Sequence, residues 1–377
     1  MASRALDIHA DANPQPVVAP RFEMCARSVA EVDNAEWDAL AALAAEPNPF
    51  AESWYLRPAI EALGRAGSVR LLCLYNDGTL CGLLPVKHRA FYWRYPLPHL
   101  AGWLHGNAFL GSPLVARGCE KAFWRALLAW ADEHAGAALF LHLRDMPLGT
   151  TLSRALEAVA EEQARPCAIV HRHERAILQH GLTPQAHWEQ SLNGKKRKEL
   201  RRQAKRLSEE GALEFTRRTD AEGLASWTRD FLDLEARGWK GKRGNPMGSD
   251  PRTAALFAQA LEGAARRGRL ERLALTLDGK PIAMLANFLT PPGAFAYKTA
   301  FDEDYARFSP GVLLQQHNLA LLEREDIAWC DSCAAEDHPM IDKLWPDRRA
   351  IGRYSVAIGG PRRRALFARL LARETAA

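Results

Sequence analysis

The sequence predicts a mixed α/β (α+β) protein made of two tandem copies of one unit, each a mixed central sheet flanked by helices. Three observations lead there. The chain has 377 residues, more than one ordinary core accommodates and a good length for two domains of roughly 150 to 200 residues each. Its composition, 47% hydrophobic and 25% charged, is that of a folded globular chain and excludes wholesale disorder. Two distant segments, 69–84 and 270–285, also share one plan: an apolar run, then Asp77-Gly78 or Asp278-Gly279, then a second apolar run. Asp-Gly between two such runs is the strongest short-range hairpin signal, because a type I′ turn needs positive φ at both central residues.

The flanks of the hairpins repeat as well. Helical patterns over 36–45 and 54–66 precede the first, and patterns over 221–237 and 252–267 precede the second. A strand at 107–115 and a helix at 121–135 follow the first; a strand at 294–301 and a helix at 312–325 follow the second. A last strand, 327–330, has its counterpart at 138–143. Duplication of one unit is the simplest account, with domains at 21–175 and 176–377 and a core in each. The join is expected between His173 and Gln190, where Gly181 and Pro184 interrupt the pattern. Residues 1–20, with Asp7, Asp11 and three prolines and no apolar run, read as a disordered tail rather than a signal peptide.

No stretch is long and apolar enough for a membrane span, since even 126–143 is broken by Asp132, Glu133 and His134. Seven scattered cysteines do not make the framework of a small secreted domain. A soluble, cytoplasmic protein is expected. The net charge of +5 is local: 195–207 alone carries eight Lys/Arg against one Glu. That helix needs its own explanation.

Three motifs in the second half give the reading a family. The runs are Lys195-Lys-Arg-Lys-Glu-Leu-Arg-Arg-Gln-Ala-Lys-Arg-Leu-Ser-Glu-Glu-Gly211, Glu235-Ala-Arg-Gly-Trp239-Lys240-Gly241, and Tyr305-Ala-Arg-Phe-Ser-Pro310-Gly311-Val-Leu-Leu314. In this order they resemble the acyltransferases associated with cellulose biosynthesis (CelD-type), a branch of the GNAT superfamily of N-acetyltransferases related to the FemAB peptidyltransferases. Asn48-Pro-Phe50, Trp54 and the hairpin ending Leu84-Pro85 carry the resemblance into the first half. It implies two GNAT-like domains, the first degenerate and the second holding acetyl-CoA or another acyl-CoA as co-substrate.

A strand followed by a loop and by Gly311 at the start of a helix suits a pyrophosphate, because first-turn amides and the helix dipole favour an anion there. By resemblance, Phe308, Ser309, Gly311, Val312 and Leu313 would offer amides to the CoA pyrophosphate and Arg307 a charge. The backbone at Tyr297, Thr299, Ala300 and Phe301 would run beside the pantetheine arm. The pattern departs from the glycine-rich GNAT loop in having a single glycine at Pro310-Gly311.

Acyl transfer to an amine needs a neutral amine, a donor for the developing oxyanion and a proton for the departing thiolate. Asp331, His338 and Lys343 are the candidates that would face the cleft of a GNAT fold. A strand-end Asp also serves as a loop cap, and a loop His is often merely solvated. Trp239 and Lys240 would wall the acceptor site, where the alternative is an indole packed under its loop. Lys242 and Arg243 extend the positive charge there. Cys330 and Cys333 have metal-like spacing without a second ligand pair, so no metal is expected.

The basic helix carries an apolar stripe of Leu192, Leu200, Ala204 and Leu207, leaving its cations outward. That face is either simply solvated or a patch for phosphate, for an anionic membrane or for RNA. RNA enters because FemAB relatives use aminoacyl-tRNA as donor. The expected activity is acyl-CoA-dependent transfer to a small polar amine such as an amino sugar or amino acid. A tRNA-dependent transferase and a non-catalytic component of exopolysaccharide assembly are the rivals.

Overall fold

A computed structural model describes residues 21–238 and 247–375. The first half runs β1 (Phe22–Arg27), α1 (Asn34–Ala42), α2 (Ser53–Leu63), β2 (Arg70–Asn76), β3 (Thr79–Arg89), β4 (His99–Gly102), β5 (Leu114–Val115), α3 (Glu120–His134), β6 (Phe140–Pro147), α4 (Thr151–Glu162) and β7 (Cys167–Gln179). The second runs α5 (Pro184–Ser191), α6 (Gly194–Glu209), β8 (Leu213–Arg218), α7 (Leu224–Arg237), α8 (Pro251–Arg266), β9 (Leu270–Leu277), β10 (Lys280–Thr290), β11 (Gly293–Phe301), α9 (Pro310–Asn318), β12 (Trp329–Asp331), α10 (Ile341–Leu344), β13 (Asp347–Ala357) and α11 (Pro361–Thr375). Both hairpins form around residues of positive φ, Asp77 and Gly78 in one and Asp278 and Gly279 in the other. Helix starts follow their caps: the Asp33 carboxylate accepts from the amides of Ala35 and Glu36, and Asp250 caps α8 just before Pro251.

All the described strands join one sheet in the order β1-β2-β3-β4-β6-β13-β7-β12-β11-β10-β9-β8, with β5 paired to β3. Neighbours are antiparallel except at two places, β4 beside β6 and β11 beside β12. The last strand of each half is exchanged. Strand β7 pairs with β12 of the second half, while β13 lies between β6 and β7. Residues 175 and 176 are consecutive positions inside β7.

Besides clusters built on the strands of each half, a further cluster belongs to both. Phe50, Trp54 and Tyr55 of the first half pack with Phe231, Phe257, Leu261, Phe288, Phe295 and Tyr297 of the second. The reason is close approach of α2 to α8: a side chain added at Gly263 would come within 2.9 Å of the Trp54 Cβ. Burial of these large side chains, worth roughly 1.5–3 kcal/mol each, therefore stabilises the two halves together.

Two expected elements differ in extent. The strand expected over 107–115 pairs only at Leu114–Val115, because Gly111, Ser112 and Pro113 punctuate it and 103–113 runs as a loop. The helix expected over 312–325 begins at Pro310 and tightens after Asn318 into a 3₁₀ turn, Leu319–Glu323.

Candidate active site

Parallel strands that part company leave backbone groups without partners, and this happens where β11 meets β12. Their ladder comprises Gly293, Ala294 and Phe295 against Trp329, Cys330 and Asp331, and then ends. Strand β11 continues to Phe301 while the chain after Asp331 turns away through Ser332 and Cys333, the latter left-handed at φ 53°. A cleft of about 700 Å³ lies in the gap. One wall is Ala296, Tyr297, Lys298, Thr299 and Phe301, the other the loop from Ser332 to Ile341, and Gln315 and Phe109 close it.

The register of β10 against β11 slips at this point. Ala286 faces Lys298 and Asn287 faces Ala296, so Tyr297 is an extra residue, a β-bulge. A bulge leaves one residue out of the ladder and re-aims its neighbours. Tyr297 itself is buried, its ring stacked on Phe288 with centroids 4.4 Å apart and its hydroxyl 3.3 Å from that of Tyr55. Burial holds its phenol well above the ordinary range. Lys298 reaches back to the first half, donating to Asn107 Oδ1 at 2.8 Å with its ammonium over the Phe109 ring.

The helix expected to hold a pyrophosphate starts at the far end of β11. A 3₁₀ turn, Glu303–Phe308, leads to Ser309, which sits left-handed at φ 54° as the N-cap of α9. Of the five amides expected for an anion, three already donate within the protein: Ser309 to the Ala306 carbonyl, and Val312 and Leu313 to the Ser309 carbonyl. Gly311 is buried, and a Cβ there would stand 3.3 Å from the Phe301 ring and 3.4 Å from the Met340 sulfur, both of the cleft wall. The mouth of the helix thus lies behind Phe301 and Met340. Arg307 is exposed, stacked over Phe308 and paired with Glu210 at 2.9 Å, beside the C-terminus of α6.

The three residues expected to act on protons occupy different settings. Asp331 is fully buried. Its carboxylate faces Arg175 of β7 at 3.4 Å and Arg349 of β13 at 3.3 Å, and accepts the Cys333 amide at 2.8 Å. Those bonds fit a group that fixes the turn opening the cleft. Arg175 also donates to the Phe109 carbonyl at 2.9 Å. Burial works most strongly against its charge, but Asp331, Cys333 and Asp145 together keep the guanidinium above its ordinary range. His338 lines the cleft, with its Nδ1 accepting from the Ile341 amide at 3.3 Å. Lys343 is exposed on the short α10 and is absent from the cleft wall. Ala300 is buried in the core shared by the halves. Trp239 and Lys240 lie outside the described residues, as do Lys242 and Arg243. Among the described residues no group of three or more His, Cys, Asp and Glu could hold a metal ion.

Comparison with known proteins fits this geometry. Residues 194–338 match the model of the acetyltransferase (GNAT) domain. That stretch is similar in sequence to a GNAT acetyltransferase domain. The matched stretch runs from the basic α6 to His338 and so takes in the β11 wall and the cleft loop as far as His338. N-acyl transfer is the activity class of that domain.

Among solved structures the chain is similar to FemX, at 11% identity over 88% of this chain and 96% of that one, with a TM-score of 0.55. It is similar also to a conserved protein of unknown function from Bacteroides thetaiotaomicron, at 14% identity over 90% and 100%, TM-score 0.56. A third is the C-terminal domain of a putative lysylphosphatidylglycerol synthetase from Agrobacterium fabrum, at 14% identity over 90% and 97%, TM-score 0.52. At such identities the likeness shows the fold, and it extends over both halves. No curated protein matches the sequence.

The cleft is also lined and braced by residues that sequence reasoning passed over. Asn107 and Phe109 come from the first half, Arg175 from the exchanged β7, and Lys298 and Gln315 from the cleft wall. Lys298, a lone cation in the apolar run Phe295-Ala-Tyr-Lys-Thr-Ala-Phe301, and Arg175, followed by Ala176-Ile-Leu178, were visible as charges inside hydrophobic strands. Such placement asks for a partner.

Proposed function

We propose that the protein transfers an acetyl or longer acyl group from acyl-CoA to a small polar amine, by direct attack within a ternary complex in the β11–β12 cleft. The observation that carries this is the unpaired edge of β11 beyond Phe295, a strand edge that an extended pantetheine arm can line by hydrogen bonding. The residues present fit such a co-substrate. Thr299 and Phe301 flank the arm, and Arg307 with the cations of α6 supplies positive potential for the pyrophosphate at that end. An amide of the bulge at Tyr297 and Lys298 donates to the thioester carbonyl as negative charge develops there.

His338 takes a proton from the attacking amine or returns one to the thiolate, since it is the imidazole in the cleft wall. Asp331 is a positioning residue: it holds Cys333 and ties the cleft loop to Arg175 and Arg349. Trp239 and Lys240 stay assigned to the acceptor side by the order of the sequence motifs alone. A cytoplasmic setting suits this reading, and no described helix is long and apolar enough to cross a membrane.

Calorimetry with acetyl-CoA and a longer acyl-CoA tests the proposal. Binding is expected for the unaltered chain and should fall at least tenfold in Thr299→Trp, which fills the cleft, and in Gly311→Trp, which displaces Phe301 and Met340. Equal binding by the variants would remove the co-substrate from this cleft. A second reading, an aminoacyl-tRNA donor, is favoured by the packing of α6 against the Glu303–Phe308 turn. It leaves seven exposed cations, Lys195, Lys196, Lys198, Arg201, Arg202, Lys205 and Arg206, beside the pyrophosphate end. Salt-sensitive tRNA binding that disappears when these are neutralised would support it.

A further inference from the structure

The first half has a pocket of its own on the sheet face away from α3 and α4. It measures about 230 Å³, room for about eight waters at bulk density. Strands β3, β4, β6 and β13 form it, and among its lining residues are four permanent cations, Lys87, Arg89, Arg144 and Arg353, and no carboxylate. Alternation along the strands brings the cations to one face. Arg144 follows His142 by two residues on β6, and Lys87 and Arg89 are likewise two apart on β3.

The charge there is poorly compensated. Arg353 Nε is buried without a hydrogen-bond partner, an arrangement that costs roughly 1–3 kcal/mol and more for a charged group. Arg144 spends one donor on the Leu104 carbonyl at 3.0 Å. Its charge is disfavoured first by burial and then, against the pull of Asp145, by Arg353 and Arg89. His142 in the same wall is pushed down to about 3 by burial, then by His99, Arg144 and Arg353. The nearby carboxylate of Glu374 is taken by the Tyr92 hydroxyl. Around the mouth stand aromatics with no core to fill: Phe91 is 62% and Trp93 74% exposed.

We propose that this pocket binds the phosphate of a phosphorylated ligand, with Arg144 and Arg353 on its floor, Lys87 and Arg89 at its rim, and Phe91 and Trp93 against what the phosphate carries. Guanidinium groups suit a phosphate because their donors form a planar fork that two of its oxygens can meet together. The exposed rings suit either a flat organic group or the interfacial layer of a bilayer, where amphipathic aromatics settle. The shared chemistry is the phosphate, and the source is a soluble phosphorylated compound or a lipid headgroup. The pocket abuts the cleft's own scaffold, since Trp103 and Leu104 line it while Phe109 of the same loop lines the cleft.

The test needs no acyl-transfer readout, so its failure leaves the proposed activity standing. Inorganic phosphate and pyrophosphate are titrated by calorimetry at low ionic strength, and vesicles of phosphatidylglycerol or phosphatidylcholine are tested by co-sedimentation. The probes are the full chain, Arg353→Met, Arg89→Ser at the exposed rim, Trp93→Ser, and Arg154→Ser on α4 as a control for general positive charge. Expected is binding of pyrophosphate or of phosphatidylglycerol vesicles that weakens at least tenfold in Arg353→Met, several-fold in Arg89→Ser and little in the α4 variant. Vesicle binding that Trp93→Ser also removes marks a lipid source, and pyrophosphate binding without vesicle binding marks a soluble one. Absence of both, or loss in the α4 variant with none in Arg89→Ser, overturns the proposal. Arg89→Ser decides the matter if Arg353→Met does not fold.

Discussion

The two halves contain the same parting of parallel strands and treat it in opposite ways. Strand β4 leaves β6 after only Leu100 and Ala101, as β11 leaves β12 after Phe295. In the first half the loop 103–113 fills the gap. The Trp103 amide donates to the Pro85 carbonyl, Gly111 donates to the Asp145 carbonyl, and the Asn48 amide holds the Ser112 carbonyl. A Cβ on Gly111 would lie 2.0 Å from the Arg144 carbonyl oxygen. In the second half β11 is long, bulged and open on its β12 side. The first gap is filled, and the filling loop serves as a wall for the second through Asn107 and Phe109.

This contrast can be broken at the bolt between the halves. Asp331→Ala leaves Arg175 and Arg349 without their buried partner and should cost about 3–5 kcal/mol, read as a fall in denaturation midpoint. Acyl-CoA binding should weaken with it, because the turn at Cys333 and the Phe109 carbonyl are both tied to that cluster. His338→Gln sharpens the other side. It should lower kcat roughly 10²-fold or more with acyl-CoA binding unchanged, and an unaltered kcat would return the proton step to another group.

The filled gap is open to test by crowding. Gly111→Ala must push backbone against backbone, which should destabilise by about 1–3 kcal/mol and loosen the loop that holds Phe109. If stability is unchanged, the close approach at Arg144 is not what seats the loop.

Acid should act through two buried histidines of the first half. His105 in the loop is depressed from 6.5 to about 4, by burial first and then by Lys298. His142 on β6 is depressed from 6.5 to about 3. Both rings stay neutral in the folded chain, whereas in the unfolded chain they take up protons below about 6.5. The unfolded state then binds more protons, so stability should fall as the pH drops from about 6.5 towards 4, by up to about 1.4 kcal/mol per pH unit for each ring. A His105→Gln, His142→Gln double variant should flatten that slope. Lys343→Ala, on an exposed position away from the cleft wall, should change neither stability nor turnover appreciably.

Much of the fold was legible because its signals are local. The two Asp-Gly hairpins, the capped helices and the strand–loop–helix around Pro310-Gly311 depend on neighbours in sequence. The exchange of β7 and β13 was not legible: both are ordinary strands by pattern, and which sheet they complete is decided by distant pairing. For the same reason Asp331 read as a strand-end acid, while its two arginine partners on other strands stayed hidden. That Tyr297, Thr299 and Phe301 line one cleft was legible because they follow one another along one strand. Phe109 was missed because its role depends on a loop that crosses from one copy to the other.

The most direct measurement is hydrogen exchange of the chain with and without acetyl-CoA. If the second cleft holds the co-substrate, amides across 296–301 and 332–341 should slow on binding while those of β4 at 99–102 keep their rates. Unchanged exchange along 296–301, or protection confined to β4, would contradict the assignment of the open cleft as the working one.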